Sequence, residues 1–188
     1  MNRLNGILFL LALLFISTMG CSSKRILPDH LGPFQRYTQE IVMHSDILGT
    51  DVKFGVLLPE SYRDDADRRY PVVYMLHGYG DNHTSWNGNY LHANARIQAL
   101  EKNGLSEMIY IFPAGYNSYY CNYYNGKYNY MDMFVQELVP HIDKSFRTIA
   151  DRAHRALTGY SMGGFGAMIL AEKHPELFSC SAPLSMSF

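Results

Sequence analysis

The sequence is poor in cysteine and carries almost no net charge. Its 188 residues include 16 lysines and arginines against 17 aspartates and glutamates, which gives a formal net charge of -1. A protein that binds nucleic acid through the phosphate backbone needs clustered positive charge, so we do not expect nucleic acid as a partner. Three cysteines cannot form a disulfide framework. We expect Cys121 and Cys180 to be free thiols, although an exported location would allow them to pair.

The apolar run near the N-terminus is too short to cross a bilayer comfortably and has instead the pattern of an export signal. Arg3 precedes an apolar stretch over 7–16, and small or uncharged residues continue to Cys21. Residues 17–21, STMGC, resemble a bacterial lipobox, although Thr18 stands where leucine is usual. Ordinary cleavage nearby is the alternative. We predict a signal peptide over 1–20, lipid attachment at Cys21, a polar tether over 21–36, and a periplasmic or cell-surface bacterial lipoprotein.

Strand and helix patterns alternate along the rest of the chain. Apolar and β-branched runs predict strands over 37–44, 52–59, 70–77, 108–113, 155–158 and 178–184, and apolar stripes predict helices over 89–103, 130–146 and 162–173. The first two strands should pair antiparallel around a turn at 49–51, and Pro140 should bend the second helix. This alternation predicts an α/β fold, with a mostly parallel, doubly wound sheet, in one domain over 37–188.

The most specific motif is GYSMG at 159–163, a G-x-S-x-G between the strand RALT and the helix GGFGAMILAEK. This is the pattern of a nucleophile elbow, a tight strand-to-helix turn that raises a serine hydroxyl above the sheet. The alternative is a glycine-rich turn that serves only helix–strand packing. Because the motif lies between the required strand and helix, we predict that Ser161 is a catalytic nucleophile.

A serine nucleophile needs two hydrogen-bond donors for the oxyanion that its attack creates. Met162 follows Ser161 at the positive end of a helix, so its N–H is the first predicted donor. The HGYG loop at 77–80 follows the third strand, and Tyr79 N–H is the second. His77 could instead be a general base, but its position at the strand end favours a role in shaping the loop.

Three segments, YPVVYMLHGYGDNHTSW, IYIFPAG and LTGYSMGGFGAMILAEKHPELF, resemble the Putative esterase, or esterase D-like, family of α/β-hydrolases. The similarity covers roughly Val52 to Phe188. That family includes feruloyl and acetylxylan esterases, S-formylglutathione hydrolases and mycolyltransferases. The resemblance implies an α/β-hydrolase fold and a serine esterase that uses a Ser, Asp/Glu, His triad and no metal or cofactor.

The sequence after Ser161 departs from this pattern. In this fold the triad acid and then the histidine follow the serine, on loops after later strands. Glu172, His174 and Glu176 are on or next to the elbow helix, where a role at the helix end explains them better than catalysis. We therefore expect a C-terminally truncated α/β-hydrolase that lacks its last strands and has little turnover as given.

A loop between Gly115 and Tyr130 is rich in tyrosine and follows the strand IYIFP. Loops at the carboxyl ends of strands lie beside the active site in open α/β sheets, and tyrosine rings can stack on sugars or aromatic acyl groups. The alternative is a loop held together by its own rings. We predict four substrate-binding residues: Tyr116, Tyr119, Tyr120 and Trp86, of which the last could equally anchor the helix after it.

Export and the tyrosine-rich loop together favour hydrolysis of feruloyl or acetyl esters on plant xylan. Two alternatives stay open from the sequence. The same serine could transfer an acyl group to a sugar hydroxyl instead of water, or the chain could be a non-catalytic, glycan-binding remnant. The expected partners are an ester substrate and, through the lipid anchor only, a membrane.

Overall fold

The computed structural model describes residues 35–88 and 91–187. The strands in these ranges are β1 (Tyr37–Ser45), β2 (Thr50–Leu57), β3 (Val72–Leu76), β4 (Ile109–Pro113), β5 (Arg155–Tyr160) and β6 (Cys180–Leu184). The helices are α1 (Ala93–Lys102), α2 (Tyr130–Met133), α3 (Val139–Ser145) and α4 (Met162–Lys173). The predicted signal peptide, Cys21 and most of the predicted tether lie outside the described residues.

The strands form one mixed sheet in the order β1-β2-β4-β3-β5-β6. β1 pairs antiparallel with β2, and β2 pairs antiparallel with β4. The three remaining pairs of neighbouring strands are parallel: β3 with β4, β3 with β5, and β5 with β6. The carboxyl ends of β3 and β5 therefore meet at the same edge of the sheet, where ligands bind in open α/β folds.

Both faces of the central sheet are covered by helices, as the apolar runs of β3 and β4 predict. On one face Tyr74 packs with Phe134 and Leu170 in a large core that includes residues of the second, third and fourth helices. On the other face Met75 packs with Ile97 of α1. The α/β fold with a doubly wound parallel portion is thus confirmed.

The turn between the first two strands differs from the prediction. It occupies residues 46–49, where Gly49 has φ 64°, and Thr50 and Asp51 already belong to β2. Asp51 pairs with His44 across the hairpin, and its carboxylate lies 2.8 Å from the His44 ring nitrogen Nδ1. The prediction placed the turn too far along the sequence because Thr50 and Asp51 are polar, as loop residues often are, whereas both are exposed residues at the start of β2.

The helices also show two local differences. α1 begins at Ala93, later than the predicted start. The predicted helix over 130–146 is present but contains a π-helical segment, Phe134–Leu138, directly before α3. Pro140 lies in the first turn of α3, directly after this π-helical segment, whose wider turn leaves room for the proline ring.

Two further features concern the surface. Cys121 is half-buried and Cys180 is exposed, and both are free thiols, as expected. Within residues 35–88 and 91–187, none of the helices is long and apolar enough to cross a membrane.

Candidate active site

Ser161 lies between β5 and α4 in a strained backbone conformation. Its φ and ψ angles are 54° and -120°, a region that costs a non-glycine residue about 1–3 kcal/mol. Backbone hydrogen bonds hold it there, because its N–H donates to Leu184 O at 3.0 Å and its carbonyl accepts from Ser187 N at 3.3 Å. This is the geometry of a nucleophile elbow.

The glycines around Ser161 allow α4 to approach the sheet closely. A Cβ atom at Gly163 would lie 2.2 Å from Leu76 O, and one at Gly159 would lie 2.3 Å from Gly163 O. Both obstacles are backbone atoms, which cannot rotate away. The helix therefore reaches the end of β3 only because these two positions have no side chain.

The two predicted oxyanion donors lie at the same edge of the sheet. Met162 is the first residue of α4, so its N–H has no acceptor within the helix, and its side chain is fully buried. Tyr79 follows β3 in a loop whose Gly80 N–H donates to Asn117 Oδ1 at 2.9 Å. The Tyr79 side chain is exposed and contacts the ring of Tyr119. The donor roles of both residues stay predictions.

His77 links the loops after β3 and β4. Its Nε2 accepts a hydrogen bond from Gly115 N at 2.7 Å, so Nδ1 carries the proton and donates to Gly78 O at 2.8 Å. The side chain is completely buried, and burial lowers the pKa of the ring. With both nitrogens engaged by the backbone, His77 shapes the loop, the role that the sequence favoured over general base.

A cavity of about 440 Å³ opens beside Ser161 and is mostly apolar. Trp86 is 8% exposed and packs edge-on against Tyr160, with ring centroids 4.9 Å apart. It lines the cavity and also belongs to the cluster that contains Ala93 and Ile97 of α1, so both roles that the sequence left open are present. The residues around the cavity are Asp81, Ser85, Trp86, Leu91, Tyr160, Ser161, Leu184 and Ser185.

Asp81 and Tyr160 form a polar pair at this cavity that sequence analysis missed. The Tyr160 hydroxyl donates to Asp81 Oδ2 at 2.6 Å. Burial raises the pKa of Tyr160, and the hydrogen bond to Asp81 raises it further, so the phenol stays protonated as a donor. Only the position of Asp81 directly after HGYG could have drawn attention to it, because the pair spans 79 residues of sequence.

The tyrosine-rich loop is partly core and partly surface. Tyr120 is completely buried, and its hydroxyl donates to His77 O at 3.1 Å. Its ring fills the space beside Gly115 and Gly166, where a Cβ would lie 2.4 and 2.3 Å from ring atoms. Tyr120 therefore stabilises the fold and cannot contact a substrate, which corrects the prediction for this residue.

The two other predicted tyrosines remain near the surface. Tyr116 is 40% exposed, and Tyr119 packs between Tyr79 and Phe165, with ring centroids 6.1 and 5.9 Å away. Both residues have positive φ angles, 49° and 55°. This backbone conformation costs a non-glycine residue free energy, so the fold of the loop must impose it. Neither lines the cavity beside Ser161, and their role toward a substrate stays a prediction.

The histidine and carboxylates at the end of α4 are far from Ser161. His174 Nδ1 and Glu176 Oε1 lie 3.0 Å apart after the last turn of this 12-residue helix, which is about 18 Å long. They cannot serve the serine, as expected. In the part of the chain that the structure describes, no histidine is hydrogen-bonded to the Ser161 hydroxyl.

Comparisons with known proteins agree with this geometry. Residues 45–187 match the family model described as "Putative esterase". An endo-1,4-beta-xylanase/feruloyl esterase of Xylanibacter ruminicola is 30% identical over 146 residues, which cover 74% of this chain and 20% of that protein. An esterase of Mycobacterium tuberculosis is 32% identical over 139 residues, which cover 72% of this chain and 29% of that protein.

Solved structures show the same fold. A ferulic acid esterase superposes with a TM-score of 0.68 at 28% identity, covering 77% of this chain and 58% of that one. An S-formylglutathione hydrolase of Staphylococcus aureus superposes with a TM-score of 0.62 at 24% identity, covering 81% and 57%. The chain thus spans under a third of these curated relatives and somewhat more than half of these solved chains.

Proposed function

The chain belongs to the Putative esterase family, and from this premise we propose that it is a serine carboxylic-ester hydrolase acting on feruloyl or acetyl esters of plant polysaccharide such as xylan. The observation that carries the proposal is the position of Ser161. A strained elbow holds this serine at the N-terminus of α4 and on the wall of a mostly apolar cavity. Strained backbone of this kind is concentrated at functional sites, and here it coincides with a serine that lines the cavity.

The proposed reaction begins when Ser161 Oγ attacks the carbonyl carbon of the ester. The carbonyl electrons move to oxygen, and the backbone N–H groups of Met162 and Tyr79 stabilise the resulting oxyanion. The oxyanion then collapses, the alcohol leaves with the proton that the Ser161 hydroxyl gave up, and water hydrolyses the acyl-serine to the free acid and the serine hydroxyl. A histidine base and a carboxylate that orients it complete this chemistry in serine hydrolases.

The cavity suits a flat acyl group. Trp86 and Leu91 give the wall of the Ser161 cavity apolar surface, and Tyr160 adds a second ring. Aromatic walls of this kind pack well against a planar cinnamoyl group. The names of a xylanase/feruloyl esterase and a ferulic acid esterase among the similar proteins support the same choice of substrate.

The experiment is an ester-hydrolysis assay on the product of the complete open reading frame that encodes these residues. Methyl ferulate, feruloyl-arabinose and acetylated xylose are the substrates, and S-formylglutathione is the comparison. We expect hydrolysis of the sugar esters, and Ser161→Ala should reduce kcat about 10⁴-fold or more. Ser145→Ala, which removes a hydroxyl on α3, is the matched control. Hydrolysis of S-formylglutathione alone would overturn the polysaccharide assignment.

We also propose that the protein is an exported lipoprotein with the lipid on Cys21. The support is the signal-like sequence over 1–20 and the lipobox resemblance of STMGC. An anchor at the cell surface would place the enzyme near polysaccharides that cannot enter the cell. Labelled palmitate should be incorporated into the wild-type protein and not into Cys21→Ala, and globomycin should block processing. Absence of both effects in the wild type would overturn the lipid anchor.

A further inference from the structure

Asp81 is a charged residue on the wall of the cavity beside Ser161. Among the eight described residues that line this cavity, Asp81 alone has an ionisable carboxylate or a cationic side chain, and the others are apolar, aromatic or hydroxyl residues. Asp81 is exposed. In the ranges that the structure describes, no lysine, arginine or histidine forms an ion pair with it. Among the described residues, therefore, no positive charge at the cavity offsets the negative charge of Asp81.

The orientation of this carboxylate is fixed by Tyr160. The Tyr160 hydroxyl donates to Asp81 Oδ2 at 2.6 Å. The ring that carries the hydroxyl is itself held, because it packs against Trp86 and lies so close to Gly78 that a Cβ there would be 2.8 Å from Tyr160 Cε2. A carboxylate that is already positioned loses little conformational freedom when a ligand binds it.

One oxygen of Asp81 remains available. Its Oδ1 accepts no hydrogen bond from the residues that the structure describes, whereas Oδ2 is engaged by Tyr160. An ionised carboxylate is an acceptor only, and its hydrogen bonds to hydroxyl donors are stronger than neutral ones. A sugar hydroxyl supplies such a donor, and a second carboxylate does not.

We propose that Asp81 is a specificity-determining residue, which accepts a hydroxyl of the neutral sugar in the ester substrate and disfavours esters and thioesters that carry negative charge. The proposal rests on the proposed function, since it concerns the substrate class of the same site. The Asp81 carboxylate, oriented by Tyr160, gives this chain the neutral-sugar preference.

The test compares substrates that differ in one feature. For charge, the pair is 4-nitrophenyl acetate and 3-carboxy-4-nitrophenyl acetate, which share the acetyl group and differ by one carboxylate. For the sugar hydroxyl, the pair is methyl ferulate and feruloyl-arabinose. The proteins are the wild type, Asp81→Asn, Asp81→Ala and the control Asp67→Asn, each made from the complete open reading frame. Asp67 lies before β3, at the opposite edge of the sheet, and gives the same change in charge.

Asp81→Asn should raise the ratio of kcat/KM for the carboxylated ester to that for its neutral partner about three- to tenfold, because the repulsion is lost. Asp81→Ala should show the same rise and should also lower the preference for feruloyl-arabinose over methyl ferulate about tenfold, because the acceptor is lost as well. Asp67→Asn should leave both ratios unchanged. Added salt should reduce the discrimination by charge in the wild type and not in Asp81→Asn.

Tyr160→Phe provides a second variant. It keeps the ring against Trp86 and Gly78 and removes only the hydroxyl that orients Asp81, so the preference for feruloyl-arabinose should fall about threefold while charge discrimination persists. Unchanged ratios in both Asp81 variants, with hydrolysis intact, would overturn the inference and leave the esterase assignment standing. A wild type that hydrolyses none of the four esters would instead overturn the proposed function and, with it, this inference.

Discussion

Replacement of Gly163 by alanine should both destabilise the protein and disable the site. A Cβ at this position would lie 2.2 Å from Leu76 O, 2.5 Å from Leu76 C and 2.7 Å from His77 O. Ordinary contact begins near 3.4 Å, so α4 and the end of β3 must separate by about 1.2 Å. All three obstacles are backbone atoms in a sheet that is paired on both sides of β3, so a rotamer change cannot relieve the clash.

The expected magnitude follows from that displacement. Overpacking of this kind costs about 1–3 kcal/mol or somewhat more, and a shift of about 1 Å between reacting groups can reduce the rate about 100-fold. The shift acts between Ser161 on α4 and the loop that carries Tyr79, so the loss should appear in kcat. Gly163→Ala should therefore lower kcat at least about 100-fold in a protein that is still folded.

The assay measures thermal unfolding and ester hydrolysis on the same samples. Gly88→Ala is the matched control, because its nearest non-neighbouring contact would be 3.3 Å and its backbone is extended, with φ -72° and ψ -174°. We expect Gly88→Ala to change stability by less than about 0.5 kcal/mol. Gly163→Ala with wild-type stability and wild-type kcat would refute the close approach of α4 to β3.

Three other predictions follow from buried contacts. Tyr120→Phe should cost about 0.5–1.5 kcal/mol, because only the hydrogen bond to His77 O is lost, and should change KM for feruloyl esters less than twofold; a tenfold rise in KM with unchanged stability would restore a substrate role. Arg155→Met should destabilise the protein by about 3–5 kcal/mol, since it leaves the Asp143 carboxylate without the guanidinium that contacts it at 2.7 Å. Urea titration would measure the free energy of unfolding, and a change below about 1 kcal/mol would contradict the importance of this ion pair. Burial lowers the pKa of His77 in the folded state, so the unfolded chain binds more protons below about pH 6.5 and stability should fall as the pH drops from 7 toward 5. Urea titrations across this range should show a smaller fall for His77→Gln, and equal falls in both proteins would contradict a buried, neutral His77.

Much of the fold could be predicted because its signals are local. The run YPVVYMLH is apolar at nearly every position, and only a strand covered on both faces needs that pattern. The elbow at Ser161 was equally clear, because glycines that permit close backbone approach surround the serine within five residues. The hairpin turn was predicted to start three residues too late, since Thr50 and Asp51 are polar residues at the exposed start of β2.

The site contacts that were missed or misassigned depend on distant parts of the chain. Nothing near Tyr120 shows that its ring fills a space left by Gly166, 46 residues later. The pair of Asp81 and Tyr160 forms only because β3 lies beside β5 in the sheet, and this neighbour relation skips β4 in the sequence. Sequence patterns report local periodicity, whereas these contacts arise from the order of strands.

The most direct test of the central claim, that Ser161 is the nucleophile, is covalent labelling with a fluorophosphonate followed by peptide mass mapping of the complete protein. Such reagents phosphonylate an activated serine and leave other serines unmodified. We predict one equivalent of label on the peptide that contains Ser161, and none in Ser161→Ala. Labelling of a different serine, or equal labelling of Ser161→Ala, would contradict the assignment of the nucleophile.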